Sequence, residues 1–201
     1  KRLAPVRLEL KNKISGNFLR FLCEKLELTK VQVFITSSPL TMSYAFGLED
    51  KISGSVKSEL VYPPFEPQPS NDIRLNESII KQLQKKDLLL FYPYESMDPF
   101  LKLLKEAAYD NSVISIKISI YRLAKNAKIV DYLCAAAEND KDVTVLIELR
   151  ARFDEQNNID WSQRLEQAGC RIIYGFEGYK VHSKVCLITR RERGKISYIT
   201  Q

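Results

Sequence analysis

Val113-Ile-Ser-Ile-Lys-Ile-Ser-Ile-Tyr-Arg122 is a run of β-branched residues that closes on a tyrosine and an arginine. It reads as a strand, and the segments on either side of it set the fold class. Before it, Asp98–Tyr109 reads as a helix with Ser96 in the cap position. After it, Ala127–Glu138 reads as a helix and Val143–Leu149 as a second strand. The same step repeats: Asp160–Ala168 is a helix stopped by Gly169, and Cys170–Phe176 is a strand. Two more strands are expected at Val181–Thr189 and Lys195–Thr200, parted by the charged turn Arg190-Arg-Glu-Arg-Gly194. Upstream, a helix at Glu77–Lys86 leads into the apolar run Asp87–Phe91. Continuous β-branched strands alternating with helices imply an α/β domain, its sheet covered on both faces.

The first third of the chain reads differently. A strand at Pro5–Leu10 precedes a helix from Ser15 to Leu26, where Phe18, Leu19, Leu22, Cys23 and Leu26 recur at helical spacing behind Ser15 as N-cap. A strand at Val31–Thr36 and a short helix at Thr41–Glu49 follow. Then comes Tyr62-Pro-Pro-Phe-Glu-Pro-Gln-Pro69, whose four prolines exclude helix and central strand, so it reads as an extended connector. The expected division is 1–68 and 69–201, a small α+β piece before the α/β domain.

Composition narrows the chemistry. Of 201 residues, 45% are hydrophobic and 28% charged, as in ordinary folding chains. A net charge of +6 suits a polyanionic partner without requiring one. The four cysteines form no Cys-x-x-Cys pair and sit among apolar residues, which suggests free thiols in a reducing compartment. No apolar run reaches the length of a membrane span. One histidine, His182, excludes a multi-histidine metal centre and leaves a single imidazole for acid, base or nucleophile work.

That histidine lies in Gly178-Tyr-Lys-Val-His-Ser-Lys-Val-Cys-Leu-Ile188. On a strand, His182 and Lys184 would share a face. The imidazole could attack phosphorus while Lys184 offsets charge on the oxygens. The plainer reading is a lone histidine satisfied by backbone. Arg122 and Arg152 each follow a strand, and Arg122, Arg152 and His182 are spaced 30 residues apart. One βαβ unit takes about that many residues, so the three could converge at the carboxyl ends of successive strands. Guanidinium forks there would grip phosphate, although two surface arginines at loop starts are equally common. Glu148, Asp154 and Glu155 could hold Arg152 or a metal ion, or be solvated or paired with neighbouring cations. Tyr92-Pro-Tyr-Glu-Ser96 could border the same cleft.

Taken together, these motifs resemble the bacterial polyphosphate kinase family. The matching stretches are Leu90-Phe-Tyr-Pro-Tyr-Glu-Ser96, Ile116-Lys-Ile-Ser-Ile-Tyr-Arg122, Glu148-Leu-Arg-Ala-Arg-Phe-Asp-Glu-Gln-Asn-Asn-Ile159 and Gly178-Tyr-Lys-Val-His-Ser-Lys184. Leu60-Val-Tyr-Pro-Pro-Phe65 and the Pro5–Leu10 strand are also similar to the family. The resemblance implies a phospholipase D-like α/β fold, with 1–68 the end of a head domain and 69–201 part of the first catalytic domain. It implies reversible transfer of the terminal phosphate of ATP to polyphosphate through a phosphohistidine at His182. Arg122, Arg152 and Lys184 would bind phosphate, with Mg2+ at Arg122 and Arg152 reached through phosphate or water.

ATP, ADP and polyphosphate would be the partners, together with the remaining domains of a larger homo-oligomeric parent; nucleic acid is not expected. The parent would be cytoplasmic, or peripheral at the inner membrane, and the 201-residue piece by itself inactive. The phospholipase D motif places Asp where Thr189 stands here, a departure that polyphosphate kinases share. A phosphodiesterase or nuclease of that superfamily and a noncatalytic polyanion-binding module are the alternative readings.

Overall fold

A computed structural model describes residues 4–124, 127–151 and 155–201. They fall into two units that meet in sequence between Phe65 and Glu66; the prolines pointed to 68/69.

The first unit contains β1 (Leu8–Leu10), α1 (Gly16–Leu26), β2 (Val33–Ile35) and α2 (Gly54–Leu60). β1 and β2 pair in parallel, Leu8 opposite Val33. Ser15 caps α1, its hydroxyl accepting the Phe18 N–H at 3.3 Å. The helix expected at Thr41–Glu49 is replaced by two 3-10 turns, Ser43–Gly47 and Glu49–Lys51, and α2 was not anticipated. None of the three segments buries a side chain, so turn chemistry rather than packing chooses their geometry.

The second unit contains α3 (Ile79–Leu83), α4 (Asp98–Tyr109), β3 (Val113–Ile120), α5 (Lys128–Glu138), β4 (Asp142–Ile147), α6 (Glu155–Gln167), β5 (Arg171–Ile173), β6 (Cys186–Glu192) and β7 (Lys195–Thr200). The sheet order is β5-β4-β3-β6-β7. β3, β4 and β5 are parallel, whereas β6 is antiparallel to β3 and β7 antiparallel to β6, so the sheet is mixed.

The connections from β3 to β4 and from β4 to β5 advance in one direction across the sheet, and the right hand that such crossovers obey puts α5 and α6 on one face. α4 packs beside α5, and α5 beside α6. Leu104, Leu133 and Leu165, one from each helix, are fully buried there. Ile116, Ile118 and Ile120, Val143, Val145 and Ile147, and Cys186 and Ile188 are buried as well. Between them Lys117 is exposed and Thr144, Leu146, Leu187 and Thr189 are half-buried. That alternation replaces the expected sheet buried equally on both faces.

Other boundaries moved for identifiable reasons. α3 is confined to one turn and a half, its N-terminus held by Glu106 of α4. That carboxylate accepts the N–H groups of Ile79 and Ile80 at 3.0 and 3.1 Å. Asp87–Phe91 forms no strand: Leu88 and Leu90 pack on the core and Leu89 is 83% exposed, an alternation without a ladder. The charged turn is shorter than expected. Arg190 belongs to β6 and is 6% exposed, its Nε donating to the Ser112 hydroxyl at 3.0 Å. Asp110 and Glu192 lie 3.6 Å from its guanidinium. Only Arg193 and Gly194 turn the chain, at φ 50° and 77°, the left-handed pair that suits a two-residue hairpin.

All four cysteines are buried and free. Burial, reinforced by Cys134 and Glu138, pushes the Cys170 thiol up to about 12, and burial alone does the same for Cys186. Thiolate is the reactive form. Disulfide exchange with an aromatic disulfide reagent at pH 8 is therefore expected to be at least about a hundredfold slower at Cys170 and Cys186 in the folded chain than in guanidinium. Peptide mapping after a timed quench gives the rates, and comparable rates in both states would contradict this burial.

Candidate active site

The site is built where β3 and β4 end. Because β6 is antiparallel, with Cys186 opposite Ile118, its entry segment reaches this same edge. His182 thus arrives from the amino end of an antiparallel strand. The even spacing suggested a third parallel unit, and the topology corrects that expectation.

His182 and Lys184 do not lie on a strand either, since β6 starts only at Cys186. The segment before it is fastened to β3 by one residue. The Ser119 N–H donates to the Val185 carbonyl at 2.9 Å. Its hydroxyl accepts the Val185 N–H at 3.0 Å and donates to the Ser183 carbonyl at 2.7 Å. A side chain takes over where the ladder stops, and His182 and Lys184 are left exposed.

Tyr121, directly after β3, is the residue on which the expected groups meet. The His182 ring stands edge-on to the Tyr121 ring, centroids 5.0 Å apart at 69°. The Lys184 ammonium lies 5.1 Å from the Tyr121 centroid and the Arg122 guanidinium carbon 5.6 Å from it. The Lys184 ammonium also donates to the His182 carbonyl at 2.6 Å. Arg122 is exposed. Arg152 and Asp154 lie outside the described residues. Three of the four residues singled out as phosphate chemistry are therefore grouped around one aromatic ring.

Beneath them, two buried polar side chains tie the strand ends together. Glu148, 5% exposed, accepts the Arg150 N–H at 2.8 Å and the Val181 N–H at 3.0 Å. Its main-chain N–H donates to the Ile120 carbonyl at 3.0 Å. Asn158 of α6, fully buried, donates at 2.8 Å to both the Tyr121 and the Glu148 carbonyls. Asn157 donates to the Leu123 carbonyl at 2.9 Å. Glu148 thus organises the main chain at the strand ends, and the Lys180 ammonium lies 3.9 Å from its carboxylate, the pairing with a neighbouring cation that the plainer reading expected. Glu155 opens α6, exposed. Next to the histidine segment, a cavity of about 590 Å³ is lined by Glu148, Arg150, Tyr174, Phe176, Tyr179 and Lys180.

Sequence reading passed over Tyr121, Ser119 and Asn158 as functional residues. Asn158 carried a signal, since adjacent asparagines inside a helix are poor helix formers and need another use for their amides. Ser119 carried none.

Burial works to raise the Glu148 carboxyl. The Val181 and Arg150 N–H groups, with the nearby Lys180 and Arg150 charges, outweigh it and hold the group below the usual carboxylate range. Such a group stabilises the fold above its unfolded value and loses that contribution as pH falls through the folded one. Glu148→Gln turns an amide N–H toward a buried N–H donor. We expect a melting temperature about 3–8 °C lower at pH 7 and a gap that closes as pH falls below about 4. Thermal melts across pH 3–7 check this; a gap independent of pH would contradict it.

The geometry can be set beside known proteins. Residues 78–201 match the family model of the polyphosphate kinase C-terminal domain 1. The chain is 42% identical over 194 residues to a polyphosphate kinase of Bacillus cereus, covering 96% of this chain and 28% of that protein. To a polyphosphate kinase of Pseudomonas aeruginosa it is 41% identical over 194 residues, 95% of this chain and 27% of that one. The crystal structure of polyphosphate kinase from Porphyromonas gingivalis superposes with a TM-score of 0.66 at 29% identity, covering 96% of this chain and 28% of that one. The chain thus spans about 28% of the length of the Bacillus relative, and its α/β fold is of the expected phospholipase D-like type. On the match over 78–201 and these relatives, the chain belongs to the polyphosphate kinase family.

Proposed function

We propose that this chain carries the phosphoryl-accepting histidine of a polyphosphate kinase, with 1–68 the end of its head domain and 69–201 part of its first catalytic domain. An imidazole nitrogen of His182 attacks the terminal phosphorus of ATP, the bond to the bridging oxygen breaks, and ADP leaves. A terminal oxygen of polyphosphate then attacks the same phosphorus and the N–P bond breaks, which frees His182 and lengthens the chain by one phosphate. Every step reverses. The observation that carries this reading is the gathering of His182, Arg122 and Lys184 on Tyr121.

Arg122, Arg152 and Lys184 are assigned to the phosphate oxygens, where fixed cations offset charge that shifts during transfer. Among the described residues no group of three histidine, cysteine, aspartate or glutamate side chains is placed to hold a metal. The cationic site does not fit a magnesium ion held by the protein itself, so we assign the ion to the phosphates of the nucleotide, as part of the substrate. Thr189 occupies the position of the phospholipase D aspartate and sits in β6 opposite Ser115, which supports transfer over phosphodiester hydrolysis. The 201-residue chain alone is expected to show little turnover.

In the full-length kinase, incubation with γ-labelled ATP and magnesium should leave an acid-labile, base-stable label on His182. His182→Ala should abolish label and product together, and Arg122→Ala should slow labelling about a hundredfold or more. Labelling that survives His182→Ala would place the nucleophile elsewhere.

A further inference from the structure

Three side chains proposed to act on phosphate converge on a residue that has no part in the transfer itself. We propose that Tyr121 is the positioning residue of this site: its ring orients His182 and holds the Arg122 and Lys184 cations in one place, ready for a phosphate chain. This inference rests on the phosphate-site reading above and adds what organises it.

The problem the ring solves is electrostatic. Lys184 is brought close to the Arg122 cation, and a carboxylate partner on Lys184 would be the usual remedy for that repulsion. A carboxylate would cancel the charge on which phosphate binding depends and would compete with phosphate oxygens for the same donors. An aromatic face attracts cations through its quadrupole without adding net charge. Tyr121 holds the Lys184 ammonium at 5.1 Å and the Arg122 guanidinium at 5.6 Å from its centroid. Among the described residues, Lys184 has no carboxylate partner. Its nearest polar partner is the His182 carbonyl, which couples the cation to the histidine backbone.

The same ring settles the histidine. His182 is exposed and lies before the first residue of β6, so the ladder does not set its side-chain direction. The edge-on contact at 5.0 Å and 69° does, in an arrangement aromatic pairs favour. Tyr121 is itself fixed from below, because Asn158 binds its carbonyl and β3 ends on it. A half-buried ring on a clamped backbone is a firmer reference point than any of the three side chains it touches.

The lone histidine makes the test direct, since the 201-residue chain yields one imidazole signal in a carbon–proton NMR spectrum. Sodium tripolyphosphate is titrated into wild type, Tyr121→Phe and Tyr121→Leu at fixed ionic strength while that signal is followed. In wild type the His182 and Tyr121 ring protons should show a cross-relaxation peak, and tripolyphosphate should move the signal saturably. Tyr121→Phe should bind within about twofold of wild type, because the ring and not the hydroxyl is at work. Tyr121→Leu should bind about tenfold more weakly, the loss of two cation–ring contacts, with its imidazole signal displaced before any ligand is added.

Wild-type affinity and an unmoved imidazole signal in Tyr121→Leu would overturn the role of Tyr121 and leave the phosphate site standing. Absence of the cross-relaxation peak in wild type would overturn it without recourse to a variant. Failure of tripolyphosphate to move the wild-type signal would instead overturn the phosphate site, and this inference with it.

Discussion

The carboxylate of Glu148 is the constraint on which the site depends. It directly follows β4, is nearly sealed from solvent, and accepts two main-chain N–H groups, one from Arg150 and one from Val181. The first fixes the path that leaves β4; the second fixes the residue just before His182. A single charged group therefore sets the relation between a strand end and a loop that returns more than thirty residues later. Buried carboxylates are costly unless fully hydrogen-bonded. Here the cost is met by donors that belong to the very segments that must be held. Asn158 completes the clamp from α6 by binding the carbonyls of Tyr121 and Glu148.

The division of labour follows from that anchor. Buried, hydrogen-bonded polar groups lie below; exposed cations and the imidazole lie above, with Tyr121 between the two layers. The lower layer sets position in a place where solvent cannot compete for its hydrogen bonds. The upper layer keeps its charge, which the proposed anionic substrate would require. The same clefted edge of an α/β sheet serves many ligands, because loops at strand ends can vary without disturbing the core. In this chain the loop that carries His182 comes from an antiparallel strand, so the histidine faces the strand ends rather than extending them.

Much of this was legible in the sequence, and the failures are instructive. Val113–Ile120, Asp98–Tyr109 and the alternation after them declare an α/β domain, because period and β-branching report on burial. His182, Lys184 and Arg122 could be picked out as residue types suited to phosphate. What the sequence did not reveal was direction. The strand ending at Glu192 runs antiparallel, and its side-chain pattern resembles that of a parallel strand since both are buried on one face. The stretch Val181–Val185 has strand composition, yet its backbone donors go to Glu148 and Ser119 instead of to a ladder. Arg190 looked like part of a solvated turn because only the tertiary fold brings Asp110 and Ser112 to it.

The central claim is that Arg122, Lys184 and His182 form one anion site at the end of β3. A crystal structure of the chain grown with tungstate or tripolyphosphate addresses it most directly. The account predicts an anion within hydrogen-bond reach of all three side chains, above the edge of the Tyr121 ring. An anion bound elsewhere, with the three side chains pointing apart, would contradict it.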